Sequence, residues 1–191
     1  MKIQDIIQQT NVLLQLDLPN ALFDDNVDSS VREQETKTIK VKNLVACCNL
    51  VLQELASEYA PIFKEETVQV QNKRLNFDQL QFDVQEVFSL KDESGCSIKF
   101  TPCQNELGTQ QNGNLTVIYS KKISDKTFFE EVEVGLSNLD VRVISYGVCA
   151  EYCFMQGDYD NVNVWDSRFK ASLKQLLRKK GELKMPKRWW F

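Results

Sequence analysis

The sequence predicts an α+β protein, a helical core with a small antiparallel β-sheet inserted into it. Three observations carry that prediction. Apolar residues recur at spacings of three and four near the N-terminus, across residues 41–59 and again across 162–176, the period of helices that bury one face. Between residues 65 and 122 the period changes to two, which marks strands. Pro, Gly and Asn stand where these patterns stop, as chain breakers do.

The first helix is carried by Ile3, Ile6, Ile7, Leu13 and Leu14, and Pro19-Asn20 ends it. Residues 20–37 are polar and acidic and read as an exposed loop. The second helix has the clearest period: Val41, Leu44, Val45, Cys48, Val51, Leu52, Leu55 and Tyr59 form one stripe, Thr36 or Thr38 stands ready to cap it, and Pro61 stops it. Both N-terminal helices are expected to be core pieces.

Strands follow. Thr67–Gln71 alternates, Asn72-Lys73 offers a turn before Leu75 and Phe77, and Val84–Leu90 reads as a second strand. Asp92–Gly95 is a turn-rich loop ahead of Ser97–Phe100, and Leu115–Tyr119 is the most strand-like run of all. Residues 104–114, rich in Gln, Asn and Gly, are expected to form a mobile loop.

Residues 123–135 link the sheet to two more helices. Leu136 to Met155 is apolar on nearly every side, so this helix is buried on several faces or touches neighbouring subunits. Gly157 supplies the left-handed corner. The last helix spans about 159–180, with Val162, Trp165, Phe169, Leu173 and Leu176 on one stripe, and Gly181 ends it. Residues 1–64 thus form the N-terminal part of the core, 65–122 the β subdomain, 123–180 the helices that complete the core, and 181–191 a basic aromatic tail. Tyr152, Gly157, Trp165 and Phe169 are the structural positions of the C-terminal hairpin.

Composition excludes much chemistry. There is no histidine among the 191 residues, so neither Ser-His-Asp nor Cys-His catalysis is available. No G-x-x-x-x-G-K-[ST] and no G-x-G-x-x-G occurs to cradle a phosphate. Cys47 and Cys48 are adjacent on a helix and point about 100° apart. Cys149 and Cys153 share a face, but Cys96 and Cys103, seven apart, make a poor second pair for zinc. Adjacent acids such as Asp24-Asp25, Glu65-Glu66 and Glu130-Glu131 read as solvated surface. No enzyme activity, no cofactor and no metal are expected. The six cysteines are expected to be reduced and structural. No apolar run approaches the ~20 residues of a membrane span, and Met1–Asp5 lacks the apolar core of a signal peptide. Both point to a cytoplasm-like compartment.

Charge is divided unevenly. Residues 168–191 hold nine basic side chains and one acidic one, Glu182, a net +8. The other 167 residues hold 14 basic and 26 acidic side chains, a net −12. A basic arm on an acidic body meets an acidic surface, whether protein or nucleic acid. The arm ends Pro186-Lys187-Arg188-Trp189-Trp190-Phe191. Each of these aromatic side chains can bury about 150–250 Å², and aromatic and Arg anchors are typical of interface hot spots. Lys187, Arg188, Trp189, Trp190 and Phe191 are therefore the candidate partner-binding residues.

These parts, in this order, resemble the head-to-tail connector (adaptor) proteins of tailed bacteriophages. The helix Leu44–Tyr59 with Pro61 and Glu65-Glu66-Thr67-Val68 is similar to that family's second helix and its entry into the sheet. Ser145–Cys153, Gly157-Asp158-Tyr159 and Trp165–Leu173 resemble its C-terminal helical hairpin. Met185–Trp190 resembles its basic aromatic tail. The likeness covers about residues 39–191. It implies a virion structural protein at the head–tail junction, assembled in the host cytoplasm as a homo-oligomeric ring, commonly a dodecamer. In such rings the tail of each copy docks on the portal protein, the body receives the next tail or ring protein, and DNA passes through the channel without being read.

Two rival readings remain open. Residues 168–191 could instead bind nucleic acid, with Arg188, Trp189 and Trp190 stacking on bases. A small enzyme with Cys149 or Cys153 as nucleophile would need a lowered thiol pKa. Both cysteines lie toward the C-terminal end of their helix, the wrong end for that.

Overall fold

A computed structural model describes residues 1–24 and 26–177. The fold is α+β, with five α-helices and two small antiparallel sheets among the described residues.

Helix α1 (Ile3–Leu14) begins where the Lys2 backbone N–H donates to the Asp5 carboxylate at 2.8 Å. That carboxylate also suits the positive end of the helix. It buries Ile3, Ile6, Ile7 and Thr10, whose hydroxyl donates to the Ile6 carbonyl. It ends at Gln15 in the left-handed region (φ 52°), before Pro19. The expected exposed loop at 20–37 is corrected by helix α2 (Ser29–Thr36). This helix buries no residue, so it leaves no apolar period. Arg32 ties it down, donating to the Gln4 side chain at 3.2 Å and lying over the Phe129 ring at 5.1 Å.

Helix α3 (Ile39–Glu54) buries Val41, Leu44, Cys47, Cys48, Val51 and Leu52. The stripe continues to Tyr59 through one wider π-helical turn, Leu55–Tyr59, before Pro61. Thr38 flanks the start of α3, but its hydroxyl donates to the Glu35 carbonyl at 2.9 Å and does not cap α3.

The β region holds two three-stranded sheets where one was expected. Strands β1 (Phe63–Val70), β6 (Gly113–Lys121) and β3 (Val84–Lys91) pair in that order. Strands β2 (Arg74–Asn76), β5 (Glu106–Thr109) and β4 (Phe100–Pro102) form the second sheet. Asn72 and Lys73 both have positive φ, as a two-residue type I′ hairpin requires. Strand β5 lies inside the segment expected to be a mobile loop. Leu107, fully buried, anchors it, and Asn112 accepts a hydrogen bond from the Lys73 backbone at 2.6 Å. Val70, Leu75, Leu90, Leu107, Leu115, Val117 and Tyr119 share one apolar core drawn from both sheets.

Helices α4 (Val141–Gln156) and α5 (Tyr159–Leu177) complete the helical core. Helix α4 starts five residues later than expected, because Asp140 caps it by accepting from the Arg142 N–H at 3.2 Å. Leu136 and Leu139 close a turn ahead of that cap. Helix α4 packs on α1, α3 and α5, which makes it the centre of the helical cluster. The N-terminal segment and the linker before α4 are far apart in sequence but hydrogen-bonded: Ile3 N–H donates to Glu130 O at 3.1 Å and Val132 N–H to Met1 O at 2.8 Å. Lys64 and Lys121 on the sheet both pair with Glu133 in the linker. These partners, Lys121 foremost, hold the Glu133 carboxyl below its usual range. At Gly135 an added Cβ would lie 2.3 Å from the Ala60 carbonyl oxygen, so the linker can cross the α3–β1 junction only without a side chain.

Candidate functional site

The C-terminal hairpin gathers the four structural positions of the sequence reading. Its corner is Gly157, at φ 79°. The Asp158 N–H donates to the Cys153 carbonyl at 2.9 Å and the Gly157 N–H to the Phe154 carbonyl at 3.1 Å, the paired bonds of a Schellman ending. Only glycine takes that backbone without strain. The corner fixes the direction of α5, and the buried residues of α5, Phe169 and Leu173, then reach the core.

Phe169 meets Tyr59 edge to face at 6.4 Å. It lies against Gly147 on α4, where an added Cβ would sit 3.2 Å from the Phe169 ring and 2.9 Å from Val51. Three helices therefore converge on one glycine. Trp165 stands one turn before Phe169 and is half-buried. It stacks on Tyr146 at 5.8 Å, Arg168 lies over its ring at 5.1 Å, and Arg142 lies over Tyr146 at 5.8 Å. Two guanidiniums flank two stacked rings, and such contacts stiffen the hairpin. Tyr152 is buried, which raises its phenol above the ordinary value.

The four buried thiols in and beside the hairpin are shifted away from reactivity. Burial pushes the Cys47 thiol up to about 12, with the Glu151 carboxylate adding to the effect. Burial likewise raises Cys48, Cys149 and Cys153. Thiols shifted this way stay protonated and unreactive at neutral pH, which counts against Cys149 or Cys153 as a nucleophile. Cys96 and Cys103 are exposed, and all six cysteines are free. Among the described residues no group of three or more Cys, Asp or Glu could hold a metal ion, and no helix is long and apolar enough to cross a membrane.

Lys187, Arg188, Trp189, Trp190 and Phe191 lie outside the described residues, as do Gly181 and the end of the expected last helix. The sequence reading missed the exposed apolar corner formed by Phe154, Met155 and Tyr159. The Phe154 and Tyr159 rings meet there edge to face at 5.9 Å. Periodicity alone does not separate such residues from core. The acidic neighbours Asp158 and Asp160 were the available signal.

No family model matches this chain, and no curated protein matches it.

Proposed function

We propose that this chain is a virion structural protein of a tailed bacteriophage, forming a ring that connects the capsid portal to the tail. Residues 187–191 dock on the portal, the body receives the next tail or ring protein, and DNA passes through the channel non-specifically. The role is structural and involves no catalysis, and the protein resides at the head–tail junction. One observation carries the reading: a rigid hairpin, locked at Gly147 and Gly157, leads into a basic segment that ends in three aromatic residues. Aromatic and Arg side chains are the usual anchors of interface hot spots, and a preorganised body keeps the ordering cost of binding low. The net −12 of the rest of the chain supports a channel wall to which DNA does not adhere.

The test is truncation after Pro186. The shortened chain is expected to unfold at the same denaturant concentration as the full chain and to lose binding to the portal. Unchanged portal binding would remove the tail from the account.

A second reading is favoured by the +8 of residues 168–191, namely a nucleic-acid-binding arm. It requires tight binding to short DNA that weakens steeply as salt rises. The connector reading requires no such affinity.

A further inference from the structure

We propose that copies of this chain join side by side, with the α4–α5 corner of one seated in the groove between α2, α3 and residues 126–129 of the next. The inference deepens the ring reading and rests on it for closure of the chain of contacts. The pairing itself rests on two surface patches.

The first patch is the corner. Phe154, Met155 and Tyr159 are 59%, 45% and 63% exposed. Asp158 and Asp160 stand beside them, and residues 143–167 hold four acidic side chains and no basic one. The second patch is a groove of about 400 Å³. Val45, Phe128 and Phe129 give it apolar walls, and Lys37, Lys42 and Lys126 line it as well, Lys126 paired with Glu130 at 3.5 Å. Glu33 is the single acidic residue of the lining, and residues 36–53 hold three lysines and no acid. Exposed apolar groups rimmed by charge mark protein contacts. Here the charges of the two patches are opposite, which both steers the encounter and sets its register.

Their positions suit a repeating contact. The linker packs on one side of α3, where Asn49 exchanges hydrogen bonds with the Lys126 backbone at 2.9 and 3.0 Å and Gln53 donates to Asp125 at 2.8 Å. The hairpin packs on the other side, through Val51 against Gly147, with the Glu151 carboxylate near enough to Cys47 to help raise its thiol. Residues 47 and 51 are each two positions from Asn49, about 200° round the helix. Those two pairings also make α3 and α4 antiparallel. Continued toward the start of α3, the same register sets Lys42 level with Gln156. Corner and groove thus sit at one height on opposite flanks of the molecule. A contact between two different patches repeats from copy to copy, and it closes into a ring when the rotation between copies allows.

Sedimentation velocity of the full-length chain over a range of concentrations tests the pairing. The wild type is expected to associate as concentration rises. Lys42→Glu or Asp160→Lys alone should need at least about tenfold more protein, as like charges then meet across the contact. An equimolar mixture of the two variants should associate within about twofold of the wild type, because each fits the other on both flanks. That rescue also shows that both variants are folded. Association of both single variants at wild-type concentrations would overturn this pair of patches and leave the ring reading standing. A wild type that stays monomeric throughout would overturn the pairing as well. So would a groove that, in such a monomer, takes up another virion component and loses it on Lys42→Glu. Portal binding of the truncated chain judges the docking role separately.

Discussion

The core and the corner of the same hairpin obey different rules. Around Gly147 the packing is so close that a single methyl group has no room, and Phe169 is 1% exposed. Seven to twelve residues further along the chain, at the α4–α5 corner, two aromatic rings and a methionine stand in solvent. The first region explains why the fold holds. The second adds only the edge-to-face contact of Phe154 with Tyr159 to the hairpin, and leaves most of its apolar area in solvent. One amphipathic pattern thus runs from a closely packed middle to a solvent-exposed tip.

The packed middle of the hairpin is the more sensitive region to substitution. Phe169→Ala should cost about 3–5 kcal/mol in denaturant unfolding, since it removes the ring on which α3, α4 and α5 converge. A loss under about 1 kcal/mol would mean that the hairpin is loosely held. In the β region, Leu107→Ala should cost about 2–5 kcal/mol. A mobile loop at 104–114 would lose almost nothing, so this substitution separates strand from loop. Gly147→Ala is smaller, about 1–3 kcal/mol from overpacking against Val51 and Phe169. Substitutions at Met155 in the corner should stay within about 0.5 kcal/mol of wild type. A larger loss there would erase the distinction between core and corner.

The buried thiols add a pH dependence. Well below a thiol's ordinary value of 9.0, both folded and unfolded chains keep the thiol protons. As pH rises past 9.0 the unfolded chain releases them first, while Cys47 in the folded chain holds its proton to about 12. Stability should therefore decline over that interval, and urea midpoints measured from pH 8 to 11 check it.

Elements that bury a long stripe were legible in the sequence. Helix α3 and the α4–α5 hairpin repeat apolar residues over several turns, and Gly157 marks their corner. The α+β class followed from the switch of period between helices and strands. Elements that bury little were not legible. Helix α2 buries nothing and is held by Arg32 reaching Gln4 and Phe129, contacts no local pattern encodes. Strand β5 depends on one buried leucine among Gln, Asn and Gly. Leu136 and Leu139 extended the apparent period of α4 backward, although Asp140 carried the capping signal. The division into two sheets depends on which strands meet across the core, and alternation within each strand is silent about that. The corner was hidden for a related reason: apolar residues at the end of a helix look alike whether they face a core or a neighbour.

The central claim is that identical copies assemble around a channel and dock through the C-terminal segment. Cryo-electron microscopy of the full-length chain bound to a portal tests it most directly. The account predicts a closed ring of copies, each with Trp189, Trp190 and Phe191 inserted into the portal surface and its α4–α5 corner against the adjacent copy. Isolated subunits, with those three side chains packed inside their own chain, would contradict it.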